Sequence, residues 1–229
     1  MAQPASGHHR CRAHRRGRVV THLRDLNAAC VFHVGWLLAL SAVNIAHAAD
    51  TYTPRTGDIV FHTSTSSQSR AVQEATGSRY SHMGVVLRHQ GQWQVFEAVQ
   101  PVKYTPLPRW IARGAGEHVV VKRLRQPLTA AQQAALQASA QPFVGRDYDL
   151  KFEWSDARLY CSELVWKLYH SAAGIKLAPL AELRSFNLES PSVRQKMKQR
   201  YGHQVPLNEP VVAPVAIFDS TLLETVYTN

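Results

Sequence analysis

Tyr160-Cys161-Ser162-Glu163-Leu164-Val165-Trp166 opens an amphipathic helix with a cysteine at its start. Leu164, Val165, Leu168, Tyr169 and Ala172 follow Cys161 at the spacings of one helix face. The sulfur therefore sits at the positive end of that face, looking inward, where anions are favoured and thiol pKa values fall. The other two cysteines, Cys11 and Cys30, precede what reads as a signal-peptide cleavage site. An exported chain would then carry one cysteine with no internal partner. Such a cysteine is either an inert buried side chain or a working thiolate, and position alone fits both.

Residues 1–48 have the pattern of an export signal. Arg10, Arg12, Arg15, Arg16, Arg18 and Arg24 form a basic leader, Val31 to Ala46 is mostly apolar, and Ala46-His47-Ala48 offers small residues where a signal peptidase reads. The apolar run is short and soon followed by Asp50, which argues against a membrane span. The expectation is an exported protein, periplasmic or secreted, with a domain over residues 49–229 and no stable transmembrane anchor after cleavage. The whole chain has 26 Lys+Arg against 16 Asp+Glu; the leader holds six basic and one acidic residue, leaving 20 against 15. A surface so mildly basic, with no charge block and no interleaving of basic and aromatic residues, excludes an evident nucleic-acid partner. About 180 residues suit one domain with one core.

Local signals give an α+β order. Thr56-Gly57-Asp58 turns into a buried strand, Ile59-Val60-Phe61. Ser66 to Thr76 reads as a polar helix closed by Gly77. A hairpin follows, His82 to Arg88 and Trp93 to Val99, turning at His89-Gln90-Gly91-Gln92. Val102 to Tyr104 predicts a strand, Trp110-Ile111 a short helix, and His118 to Leu124 a strong strand. Thr129 caps a helix to about Ala140. Gly145 to Asp149 reads as a loop, the cysteine helix ends near Gly174, and Ser190-Pro191 starts a helix that Gly202 ends. Pro210 to Val226 is apolar enough for a wrapping strand and loops.

With Gln90-Gly91 at the hairpin tip, Arg88 faces Trp93 and Gly84 faces Glu97. His82 and Glu97 then become diagonal neighbours on a face otherwise built from Gly84, Val86, Trp93 and Val95. A carboxylate among apolar side chains needs compensation, and a histidine beside it supplies that. A slip of one residue would send the two groups to opposite faces. Gly84 leaves room there for another element to approach. Alone, such a pair is more often a structural hydrogen bond than a catalytic one. Joined to Cys161 it becomes the base, with its orienting acceptor, that a thiol nucleophile requires. His62 is the rival base. No C-x-x-C, H-E-x-x-H or Gly-rich phosphate loop is present, so neither a metal nor a nucleotide cofactor is expected.

Gly57-Asp58-Ile59-Val60-Phe61, Ser81-His82-Met83-Gly84-Val85-Val86, Phe96-Glu97-Ala98, Tyr148-Asp149 and Tyr160-Cys161-Ser162-Glu163-Leu164-Val165 occur in an order that resembles the circularly permuted papain-like amidases of the NlpC/p60 superfamily, nearest the YiiX/YaeF-type branch. Ser185-Phe186-Asn187-Leu188, Ser190-Pro191, Arg200-Tyr201-Gly202, Pro214 and Phe218-Asp219-Ser220 extend the resemblance over roughly residues 55 to 226. It implies a permuted papain-like fold, an antiparallel sheet packed against the nucleophile helix, with the histidine ahead of the cysteine in the chain. It further implies Cys161 as nucleophile, His82 as base, Glu97 as the group orienting His82, and Tyr148 as a substrate or oxyanion contact, with Tyr160 and Ser162 beside the nucleophile placed in the same group.

The activity so implied is hydrolysis of a peptide or other amide, with cell-wall fragments among the candidate substrates. One departure bears on substrate. Unpermuted peptidoglycan enzymes often carry Asp-Cys-Ser-Gly, where this chain has Tyr160 and Glu163 around Cys161-Ser162. Two alternatives stand beside the amidase: a non-catalytic envelope protein that binds wall or lipid fragments, and a lipid thioesterase or acyltransferase on the same fold.

Overall fold

The computed structural model describes residues 51–229; the expected signal peptide lies outside them. A six-stranded antiparallel sheet organises the domain. Its strands are β1 (Ile59–His62), β2 (His82–His89), β3 (Gln92–Glu97), β4 (Lys103–Pro106), β5 (Val120–Leu124) and β10 (Leu223–Thr228), in the order β10-β5-β1-β2-β3-β4. Every residue of β1 is buried, as a central strand covered on both faces requires.

The β2–β3 hairpin has the anticipated register, with Arg88 opposite Trp93 and Val86 opposite Val95. Its turn is tighter than a four-residue loop. His89 pairs with Gln92, and Gln90 (φ 50°) and Gly91 (φ 75°) both take left-handed conformations, the turn whose twist matches that of the strands. Alternation along β1 to β3 then sorts the side chains. Ile59, Phe61, Met83, Val85 and Phe96 face one core, whereas Val60, Val86 and Val95 face a second, smaller one containing Trp110. His82, Gly84 and Glu97 belong by the same alternation to the Trp110 face.

Two helices seal these faces. The cysteine helix, α4 (Cys161–Ala173), buries eight residues from Cys161 to Tyr169 and ends at Gly174 in the left-handed conformation, φ 68°. It packs on β2 and on α3 (Ala130–Ser139), whose Thr129 and Gln132 form a reciprocal capping box. On the other face lies α2 (Leu107–Ala112), with Trp110 fully buried.

Gly84 does mark a close approach, but the neighbour is the partner strand and not a separate element. A Cβ there would lie 2.4 Å from Val95 Cγ1 and 2.8 Å from the Phe96 carbonyl oxygen. Gly84→Ala is expected to cost about 1–3 kcal/mol of stability by overpacking and to push Glu97 off His82. Paired thermal unfolding and activity measurements check this, and an alanine variant as stable and as active as the parent would contradict it.

Two stretches differ from expectation. The loop before the cysteine helix contains β6 (Asp147–Tyr148), paired in parallel with β7 (Arg158–Leu159). The tail, besides β9 (Pro210–Val211) and the edge strand β10, forms α6 (Pro214–Phe218), started by proline at its first position. β9 pairs with β8 (Ala181–Glu182). The remaining helices are α1 (Ser67–Thr76), capped by Ser66 and closed by Gly77, and α5 (Pro191–Tyr201), capped by Ser190.

Candidate active site

Cys161 is the first residue of α4 and is buried. The first intrahelical bond runs from the Leu164 N–H to the Tyr160 carbonyl, 3.0 Å. The amides of Cys161 and Ser162 precede it and have no partner within the helix. Glu163, fully buried, ties the helix start down: its Oε2 accepts the Tyr160 N–H at 3.3 Å and its Oε1 pairs with Lys167 Nζ at 2.8 Å. Burial still outweighs Lys167 and pushes the Glu163 carboxyl up to about 7. It serves the helix and lies outside the reacting set.

His82 begins β2, at the end of the sheet. Its Nε2 meets Glu97 Oε2 at 2.6 Å, so Nδ1 is the ring nitrogen that the carboxylate does not engage. Burial works against a charged imidazole. The nearby Cys161 and the hydrogen bond that Nε2 donates to the Glu97 carboxylate outweigh this and hold His82 up at about 9. Glu97 is completely buried, yet burial is overcome in the same way, and its pKa is pulled down to about 2 by His82, Arg113 and Thr105.

Glu97 has a fuller set of donors than the sequence indicated. Thr105 Oγ1 donates to Oε1 at 2.6 Å; Trp110 Nε1 at 2.9 Å and Arg113 Nη2 at 2.5 Å donate to Oε2 beside His82. Thr105 comes from β4, and Trp110 and Arg113 from α2 and its C-terminal end. A carboxylate held by four donors cannot rotate, so it fixes the imidazole plane and tautomer. Trp110 was legible only as a helix former; nothing local marks its indole as a donor to position 97.

His62, the rival base, lies opposite His82 in the β1–β2 pairing and stacks on Trp110 at 4.0 Å between centroids. Burial, then the positive charge of His82 and Arg113, lowers its pKa to about 3. Its Nδ1 is buried without a hydrogen-bond partner, against Gly114. Neutral His62 is a slab behind His82.

Tyr148, Tyr160 and Ser162 all line one cleft with Cys161, but their hydroxyls differ. Those of Tyr160 and Ser162 are bonded to Val212: Tyr160 Oη accepts the Val212 N–H at 3.2 Å, and Ser162 Oγ donates to the Val212 carbonyl at 2.7 Å. These two side chains clamp the tail segment that walls the cleft. The backbone amide of Ser162 remains an oxyanion donor candidate. Tyr148 is set beside Cys161 because β6 pairs it with Leu159, two residues before the thiol. Its hydroxyl accepts from Gln68 Nε2 at 2.8 Å, and Gln68 Oε1 accepts from Arg200 Nη2 at 2.8 Å.

Two clefts meet here. The one at Cys161 holds about 680 Å³, its open mouth included, and is walled by apolar side chains of α1, α5 and the tail, such as Val72, Met197 and Val212. The one at His82 is the more polar of the two, lined in part by Ser64 to Ser67, with Gln100 and Arg113.

A helix that begins with cysteine, packed on an antiparallel sheet that supplies a histidine and its carboxylate, defines the papain-like class, here with the histidine strand ahead of the cysteine helix in the chain. Residues 53–227 match the family described as permuted papain-like amidase enzyme, YaeF/YiiX, C92, and the chain belongs to it. The chain is 47% identical to the Uncharacterized protein YiiX of Escherichia coli (strain K12) over 190 residues, which cover 83% of this chain and 94% of that protein. A crystal structure described as that of the metalloprotein yiiX from Escherichia coli O157:H7 superposes with a TM-score of 0.75 at 47% identity, covering 78% of this chain and 99% of the other.

Proposed function

We propose that this protein is an exported cysteine amidase of the cell envelope, with Cys161 as nucleophile, His82 as general base and acid, and Glu97 as the group that orients His82. The observation that carries this is the buried His82–Glu97 pair, Nε2 to Oε2 at 2.6 Å, on a strand against which the helix begun by Cys161 packs, with Cys161 near enough to raise the imidazole pKa. Attack of the Cys161 thiolate on an amide carbonyl forms a C–S bond and an oxyanion. The Cys161 and Ser162 amides lie at the helix start where that charge develops, and one such donor is worth about 3 kcal/mol. His82 delivers its proton to the leaving amine as the C–N bond breaks. It then takes a proton from water, which hydrolyses the thioester and frees the thiol.

Amides of cell-wall peptides are the first substrate class proposed. The apolar wall of the Cys161 cleft favours a second: lipid acyl groups, held as esters or amides and cleaved by the same three side chains. Among the described residues no helix is long and apolar enough to cross a membrane.

The relative described as a metalloprotein raises the question of a metal here. Among the described residues no group of three His, Cys, Asp or Glu side chains is arranged to hold one. His82 Nε2 is bonded to Glu97, and His62 Nδ1 is packed against Gly114. That donor set does not fit a metal held by protein ligands.

Purified muropeptides and acyl esters, incubated with the parent protein and with Cys161→Ala, test the proposal by mass spectrometry of the products. The expected result is release of an amine or alcohol by the parent and none by the variant. Products of neither substrate class, from a parent whose thiol reacts with iodoacetamide no faster than free cysteine, would leave a binding protein in place of an enzyme.

A further inference from the structure

Among the described residues, the Cys161 cleft is lined by two cations and no anion. Lys196 and Arg200, both half-buried on α5, line it along with the apolar side chains, and no Asp or Glu does. Neither cation forms an ion pair among the described residues. Arg200 donates to the neutral Gln68 Oε1 and lies 5.2 Å from the Phe152 ring centroid; Lys196 makes one long bond, 3.4 Å, to Gln199. The nearby carboxylate of Asp149 is engaged by the N–H groups of Lys151 at 2.7 Å and Glu153 at 2.6 Å. The remaining groups facing the guanidinium are the tyrosines Tyr148 and Tyr201, and burial lowers the Arg200 pKa. Half-burying a guanidinium with no counter-charge costs stability unless something else compensates it. Arg200 also reaches, through Gln68, the hydroxyl of Tyr148 beside the thiol.

We infer that the acyl part of the substrate carries an anionic group of its own, a carboxylate or a phosphate, which Lys196 and Arg200 pair with inside the otherwise apolar cleft. This deepens the function proposed above and rests on Cys161 being the group that meets the acyl carbon. The apolar walls take the chain between the scissile carbonyl and the anion, and the two cations set which acyl groups are accepted. Bidentate geometry suits Arg200 to either anion.

The test needs no turnover. Cys161 is alkylated by iodoacetamides whose nitrogen bears methylene tails of increasing length, ended by carboxylate, phosphonate or carboxamide. The thiolate displaces iodide in each case. For every protein the rate with the charged tail is divided by that with the carboxamide tail of equal length, so a change in general thiol reactivity cancels. The parent is expected to show a ratio of about ten or more at one tail length, from a charge-assisted bond, shrinking as salt is raised. The ratio is expected to fall towards one in Lys196→Gln and Arg200→Gln, and the carboxylate and phosphonate arms say which anion is preferred. Lys196→Gln disturbs only the 3.4 Å contact, so it remains informative if Arg200→Gln misfolds. A parent ratio of one or less at every tail length, or a ratio unchanged in Lys196→Gln, overturns the inference. Because alkylation requires only a thiol, that result stands apart from failure of the amidase proposal, which the product analysis reads.

Discussion

His82→Ala is expected to lower turnover of any cleaved substrate by about 10³–10⁴-fold, the range that loss of a positioned acid and base produces, and to slow alkylation of Cys161 near neutrality. The fold should survive. Glu97 keeps Thr105, Trp110 and Arg113 after the imidazole is removed, so no buried carboxylate is left bare. Stability should also lose a pH dependence. In the folded parent the imidazole is raised from 6.5 to about 9, so the stability it contributes is full below pH 6.5 and lost as pH rises through about 9. That slope should vanish in the alanine variant. Turnover within a few-fold of the parent would remove His82 from the chemistry and return His62 to consideration.

Glu97→Gln keeps the shape and removes the charge. Four donors converge on this side chain, and a carboxamide must turn its own NH₂ towards at least one of them. The expected cost is roughly 3 kcal/mol, at the lower end for a broken buried pair because Arg113 is 40% exposed and partly repaid by solvent. Turnover should fall about 10³-fold or more, because the imidazole loses the acceptor that sets its tautomer. The parent's carboxyl is lowered from 4.5 to about 2. Its stability contribution is therefore present above pH 4.5 and lost as pH falls through about 2. The variant should be flat across that interval. Chemical denaturation at several pH values, beside initial rates, measures both effects; a variant with nearly intact turnover would show that Glu97 does not orient the base.

The elements around the site were legible wherever the signal was local. Ser66 and Gly77 bound α1 as read, Ser190 and Gly202 bound α5, and Gln90-Gly91 sets the hairpin register that brings His82 and Glu97 to one face. The misses share a cause. Two-residue strands such as β6 and β7 are too short to show alternation, yet their pairing is what carries Tyr148 to Cys161. The Val212 backbone that engages Tyr160 and Ser162 lies about fifty residues further along the chain, beyond the reach of any periodic pattern.

From sequence alone came the cysteine at the first position of an amphipathic helix and the shared face of the histidine and glutamate. Both follow from repeat distances within one helix and one hairpin, which the backbone geometry imposes without help from the rest of the chain. Tertiary structure decided the remainder: which donors surround Glu97, that His62 is neutral and packed away, and that an apolar cleft opens at the thiol with two cations that form no ion pair among the described residues. Those features depend on segments tens of residues apart meeting in space, and burial there sets the cost and the value of each charge.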